Sequence, residues 1–144
     1  MVLSPGMVTT VAVSICSLAA AAIDFRTRRV PNGLTGAAAA FGFALALTGV
    51  GRIGVIAAVA GGVIGLALML PGYLFGATGG GDVKLLAALG TLLGPERILF
   101  AYFGMAIGGG VIALAIAAYR GRLRNQMFAY APAIAIGAIF AVLK

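Results

Sequence analysis

The chain has 144 residues, of which 62% are hydrophobic and 9% are charged, and its mean hydropathy is +1.16. Soluble domains carry about a quarter charged residues, so this composition excludes that class, and recurring apolar runs of bilayer-spanning length indicate an integral membrane protein. The chain has no histidine and one cysteine, Cys16, which excludes histidine catalysis, a zinc site and an internal disulfide. The net charge of +7 is best explained by arginines that flank apolar spans and face anionic lipid, so no nucleic-acid partner is expected.

Six membrane-spanning helices are predicted in chain order, forming an all-α transmembrane bundle in which residues 1–144 make a single domain. The spans cover about residues 7–25, 33–50, 53–76, 82–93, 95–119 and 127–143. Proline and glycine mark the breaks between them. Pro31, Asn32 and Gly33 follow the first span, Gly49 and Gly51 follow the second, and Gly94 with Pro95 separates the fourth from the fifth. Glycines four residues apart, as in GYLFG, GTLLG and GMAIG, predict close packing of helices in lipid.

Lysine and arginine are distributed unevenly between the two sides of this predicted bundle. One side carries seven of them, Arg26, Arg28, Arg29, Lys84, Arg120, Arg122 and Arg124, and the other carries three, Arg52, Arg97 and Lys144. The positive-inside rule makes the richer side cytoplasmic, so both chain ends are expected outside the cytoplasmic membrane. Asp24 and Asp82 then lie at cytoplasmic helix ends, whereas Glu96 lies on the far side.

The stretch GATGGGDVKLLAALG, residues 76–90, places Asp82 after three glycines and at the start of an apolar helix. That helix rises only ~20 Å, against a hydrocarbon core of ~30 Å. The glycine-rich backbone before it is therefore expected to dip below the membrane surface, which requires a wet cavity or surrounding protein. Asp82 is expected on the floor of a polar pocket. A first-turn aspartate that only caps its helix is the alternative.

Asp24 ends the first apolar run, in AAAAIDFRTRRVPNG, and taken alone it is equally a surface residue that pairs with Arg28 one turn later. Two of the chain's three acidic residues, however, fall at helix ends on one membrane side. Two close carboxylates share one proton, so that one activates water while the other donates to a carbonyl oxygen. Because a helix C-terminus disfavours negative charge and an N-terminus favours it, Asp24 is expected to carry that proton more often.

Three segments resemble the type IV prepilin peptidases. GGGDVKLLAALG resembles their GxGD signature, DFRTRRVPN resembles their first aspartate motif, and YAPAIAIG, residues 130–137, resembles their last helix, with Ala129 where proline is frequent. The resemblance implies catalytic roles for Asp24 and Asp82. It implies motif or supporting roles for Gly79, Gly81, Lys84, Arg28, Arg29, Pro31 and Asn32. The role of Lys84 is unassigned, and a lysine that extends along the helix toward the membrane surface is the favoured alternative.

The resemblance also implies an aspartic peptidase without cofactor or metal. It would cut prepilins or pseudopilins at the cytoplasmic face, just before their apolar helix, in a bilayer containing anionic lipid. Longer members carry a cysteine-paired segment with N-methyltransferase activity, and this sequence has no such segment, so methylation is not expected. Presenilin-like peptidases also use GxGD but pair it with Tyr-Asp, whereas Ile23 precedes Asp24 here. The oligomeric state stays open.

Two other classes of function use the same residues. Two aspartates at the membrane edge beside glycine-rich backbone are also typical of a proton or cation path in a small transporter. A membrane assembly subunit would need the acids only as helix caps. Peptidase activity is the favoured interpretation because the two motifs occur together.

Overall fold

The computed structural model describes residues 4–27, 29–120 and 131–143, and these ranges contain five α-helices and no strand. The helices are α1 (Pro5–Thr27), α2 (Asn32–Thr48), α3 (Val55–Leu74), α4 (Gly80–Arg120) and α5 (Ala131–Leu143). The all-α prediction is confirmed, whereas the prediction of six helices is wrong. Some predictions concern residues outside the described ranges, namely Arg28, Arg122, Arg124, Ala129, Tyr130 and Lys144.

The helix count differs because the fourth and fifth predicted spans are parts of one element, α4. The predicted break is present as a single non-helical residue, Gly94, with φ 77° and ψ 177°. Positive φ is open to glycine at little cost, and Pro95 then suits the first turn of the helical segment that follows. Helical residues continue directly on both sides. A one-residue kink therefore replaces the connecting loop that separate helices would need.

Three of the helices are long and apolar enough to cross a membrane: Pro5–Thr27, Val55–Leu74 and Gly80–Val111. Asn32–Thr48 and Pro132–Leu143 are shorter apolar helices. Large apolar side chains such as Ile15, Val63 and Ile107 point outward and are more than 60% exposed, as contact with lipid requires. The chain is a multi-pass membrane protein.

The first half of α4 forms the centre of the bundle. Leu85, Leu86 and Leu89 are completely buried. Within an apolar stretch of membrane-spanning length, 61% of α4 is buried inside the protein, compared with 28% of α1 and 22% of α3. A helix enclosed by protein does not have to match the thickness of the lipid by itself. The shortness of this segment is therefore compatible with a place in the membrane.

Glycine sets the distance between the central helices. On α3, Gly61 packs its backbone directly against Gly90 of α4, and a Cβ on either residue would collide with the carbonyl oxygen of the other. Between α4 and α5, a Cβ on Gly104 would lie 2.9 Å from Cα of Gly137. The predicted packing role of small residues is confirmed at these two crossings.

Arg97 joins α4 to the C-terminal end of α5. Its Nη1 lies 3.4 Å from the carbonyl oxygens of Ala141 and Val142. The last carbonyls of a helix have no partner within the helix, and a cation stabilises that end. Arg52 interacts with the charge of Arg97, and a Cβ on Gly6 would lie 3.7 Å from Nε of Arg52. The start of α1 is therefore at this end of the bundle, and Asp24 is at the other.

Gly61→Ala should lower the free energy of unfolding by about 1–3 kcal/mol, because the added methyl group forces α3 away from α4. Thermal unfolding in detergent measures the effect. The control is Gly36→Ala on α2, where a Cβ meets nothing within 4 Å, so stability should be unchanged or higher by ~0.5–1 kcal/mol. Equal melting temperatures for the two variants would contradict the packing role of Gly61.

Candidate active site

The two aspartates come together at one end of the bundle. Asp24 lies in the last turn of α1 and Asp82 in the first turn of α4, and their side chains are only 5% and 7% exposed. Both line a single cavity of about 530 Å³, and they are close enough for their charges to interact. The structure therefore brings together the two aspartates that the sequence predicts as a pair, although 57 residues separate them in the chain.

Two short segments form the walls of this cavity. One is the connection between α1 and α2, Arg29, Val30, Pro31 and Asn32, and the other is the glycine run Gly79, Gly80 and Gly81. Pro31 is extended, with φ −65° and ψ 138°. Its carbonyl oxygen accepts hydrogen bonds from the N–H groups of Leu34 and Thr35, at 3.2 and 3.3 Å. The helix α2 therefore begins at the cavity wall itself.

The glycine run lets the two walls approach each other. A Cβ on Gly81 would lie 3.1 Å from Cβ of Val30 and 3.3 Å from its backbone N and O. Helix α4 starts at Gly80, two residues before the predicted start at Asp82, and none of the three glycines has a positive φ. Gly81 is thus required for closeness to Val30 and not for an unusual backbone conformation. The irregular backbone predicted through Gly81 ends at Gly79 instead.

Asp82 is held by the first turn of α4. Its backbone N–H donates to the carbonyl oxygen of Gly79 at 3.1 Å. A Cβ placed on Gly79 would lie 3.6 Å from Oδ2 of Asp82, so the backbone of Gly79 passes directly beside the carboxylate. The N-terminal end of α4 adds the favourable field of the helix dipole. Position and orientation of this side chain are therefore determined by local backbone.

Lys84 is exposed, and its side chain has a defined hydrogen-bond partner. Its Nζ donates to Oδ1 of Asn32 at 3.0 Å. This hydrogen bond connects the first turns of α4 to the first residue of α2, because Lys84 follows Asp82 by two positions. This bond therefore ties α2, whose first residue belongs to one wall of the cavity, to α4, which begins within the other wall. Sequence reasoning selected both residues but did not predict their contact.

Val30 is the residue that sequence reasoning missed. It is 7% exposed and packs against the glycine run. The available signal was a lone apolar residue in the otherwise basic and polar stretch RTRRVPN. Arg29 is exposed yet contributes to the cavity wall, whereas Arg28 lies outside the described residues.

Two carboxylates at one cavity are suited to acid–base chemistry. When one is ionised and the other protonated, the first takes a proton from water and the second donates one to a substrate oxygen. Pairs of carboxyl groups in different environments are the usual arrangement for such a division of roles. The cavity, at about 530 Å³, is large enough to hold several water molecules beside the two carboxylates.

Comparisons with known proteins cover the region that contains this site. The family model described as "Type IV leader peptidase family" matches residues 11–142, which include both aspartates and both walls. A protein named prepilin leader peptidase/N-methyltransferase from Bacillus subtilis (strain 168) is 42% identical over 69 residues. That alignment covers 47% of this chain and 27% of the relative, so it spans only about a quarter of the relative's length. No solved structure shows significant similarity.

The contact between Lys84 and Asn32 predicts a measurable coupling energy. Lys84→Ala and Asn32→Ala should each lower stability, and the double variant should lose less than the sum, with a coupling of ~1 kcal/mol. Thermal unfolding in detergent of the four proteins gives the cycle. Lys84→Ala combined with Thr48→Ala, at the other end of α2, is the additive control. Strict additivity for Lys84 and Asn32 would show that the hydrogen bond contributes nothing.

Proposed function

Because the chain belongs to the type IV leader peptidase family, we propose that it is a membrane aspartic endopeptidase that removes the leader from prepilins or pseudopilins. Asp24 and Asp82 are the catalytic residues. The observation that carries this assignment is the burial of both carboxylates in one cavity, within the matched region. Family membership favours a peptidase over the transporter and the assembly subunit.

The proposed reaction adds water to the scissile amide. The oxygen of the water molecule attacks the carbonyl carbon while the ionised carboxylate accepts a proton from that water. At the same time the protonated carboxyl group donates its proton to the carbonyl oxygen. A tetrahedral intermediate results. Its collapse breaks the C–N bond when the leaving nitrogen receives the proton taken from water. The hydroxyl proton returns to the other carboxylate, so the pair ends with one shared proton, as it began.

The walls favour recognition of substrate backbone. Gly79–Gly81 carry no side chains, so an extended peptide can lie against exposed backbone groups and present its carbonyl to the carboxylates. Arg26 and Arg29 are exposed at this end, and in this proposal they bind anionic lipid and not the leader.

The cavity is proposed to lie at the cytoplasmic interface of the membrane. Exposed aromatic side chains surround it: Phe25 follows Asp24, and Tyr73 and Phe75 stand at the end of α3, with Tyr73 in contact with Gly80. Tyrosine is enriched at the level of the lipid headgroups, so Tyr73 supports this depth. The exposed arginines at the same end favour the cytoplasmic side by the positive-inside rule.

Asp24→Asn and Asp82→Asn should each lower kcat for prepilin cleavage by at least about a hundredfold, because general acid–base catalysis by such a group contributes 10²–10⁴-fold. Substrate binding should persist. Cleavage and co-purification with a candidate prepilin measure the two effects. Glu96→Gln is the matched control, since Glu96 is the remaining acidic residue and is exposed elsewhere on α4. An active Asp82→Asn protein would exclude the two-aspartate mechanism.

Gly81→Ala should impair cleavage far more than Gly80→Ala. The added methyl group on Gly81 meets the backbone of Val30 at 3.3 Å, whereas on Gly80 it meets only the ring of Tyr73, at 3.4 Å. Because a rigid backbone cannot yield as a side chain can, Gly81→Ala should separate the two walls and the two carboxylates. A tenfold difference in kcat/KM at similar melting temperature is expected. Equal activities would show that this contact does not position the aspartates.

A further inference from the structure

A second recess lies on the lipid-facing side of the bundle. It is a groove of about 560 Å³ between α2 and α3, and the first half of α4 forms its floor. Its floor runs from Lys84 to Thr91, and Gly36 and Phe43 of α2 and Val63 of α3 are among the residues of its walls. Most of these side chains are apolar or small. The groove therefore presents a surface that lipid or an apolar helix can cover.

Contacts with Thr91 mark one end of the groove. On α2, a Cβ at Gly42 would lie 3.0 Å from Cβ of Thr91, and on α3, a Cβ at Gly62 would lie 3.0 Å from Cγ2 of the same residue. Both walls thus converge on Thr91, which is buried. At the opposite end Lys84 and Asn32 meet through their hydrogen bond. The groove extends from that bond into the membrane.

The groove adjoins the carboxylate cavity. Asn32 lines both recesses, so they open beside each other at one end of the bundle. From Asn32 to Phe43 the wall of α2 rises ~17 Å at 1.5 Å per residue, about half of a ~30 Å hydrocarbon core. That length accommodates roughly three turns of another helix.

We propose that this groove binds the apolar helix of the substrate, immediately after the cut. The inference rests on the proposed function. A substrate cut just before an apolar segment has to deliver its scissile bond to two buried carboxylates while that segment stays in the bilayer. A recess that faces lipid and adjoins the cavity satisfies both conditions. Gly36, Ala39, Ala87 and Ala88 line it, and such small residues let a helix backbone approach closely.

Gly36→Leu tests the proposal by filling the groove. A Cβ on Gly36 meets nothing within 4 Å, so the added side chain starts in open space at the groove wall, and the melting temperature of the variant in detergent checks that the bundle is intact. With full-length substrate, KM should rise about tenfold at unchanged kcat, which corresponds to ~1.4 kcal/mol of lost binding. A soluble peptide that spans the leader and the cut but lacks the apolar segment should be cleaved equally by both proteins.

Gly33→Leu is the matched control. Gly33 is on the same helix, is equally exposed, has no atom within 4 Å of an added Cβ and lines neither recess. It should keep the KM of the unmodified protein. Equal KM values for Gly36→Leu and Gly33→Leu would overturn the proposal and leave the groove to lipid. If the unmodified protein cleaves no prepilin, the proposed function itself fails, and the inference fails with it.

A crosslinking experiment gives an answer that does not depend on turnover. In a background of Cys16→Ser, which removes the chain's one cysteine, and Asp82→Asn, Gly36→Cys should form disulfides with cysteines placed along the substrate's apolar segment. The reactive positions should repeat every three or four residues, as one face of a docked helix requires. Gly33→Cys, which lines neither recess, should react much less than Gly36→Cys. Uniform reaction along the segment, or equal reaction from both positions, would contradict docking in the groove.

Discussion

Two carboxylates buried beside one another repel when both are ionised, and each loses its hydration. The chain has to hold them together against that repulsion, and the local structure around the cavity is arranged to do so. Asp24 is carried by the last turn of α1 and Asp82 by the first turn of α4. The walls between them are joined twice, by the packing of Val30 on Gly81 and by the hydrogen bond from Lys84 to Asn32. These contacts determine the width of the cavity.

The central part of the bundle makes this arrangement possible. A short helix that begins with an aspartate could not stand alone in lipid, but the first half of α4 is enclosed by protein. The direct backbone contact of Gly61 with Gly90 removes the space that a side chain would need. The kink at Gly94 then lets the same chain continue into the segment that packs on α5. Packing thus supplies the environment in which an acidic helix start is tolerated inside a membrane protein.

In the proposed function, the cavity and the groove bind different parts of a membrane substrate. Polar backbone has to reach water and carboxylates, whereas an apolar segment has to remain in a medium as apolar as lipid. The carboxylate cavity, at the end of the bundle, contains both aspartates, Arg29 and Asn32, whereas the groove along its side is lined mainly by apolar and small residues. Asn32 belongs to both recesses. Its contact with Lys84 therefore lies where the proposed cleavage site meets the proposed helix-binding site.

The sequence by itself determined the membrane class, the all-α fold and most helix limits, because apolar runs bounded by proline and glycine are local signals. The predicted limits of α1 and α3 differ from the observed ones by two residues at each end. It also selected Asp24 and Asp82 as a pair, since few acidic residues were available to choose from. Tertiary structure alone decided that Gly94 kinks one helix instead of separating two. It also decided that Val30 meets Gly81, that Lys84 reaches Asn32, and that α2 and α3 leave a groove over α4. The last three features join residues far apart in the chain, and their contacts depend on how the helices pack.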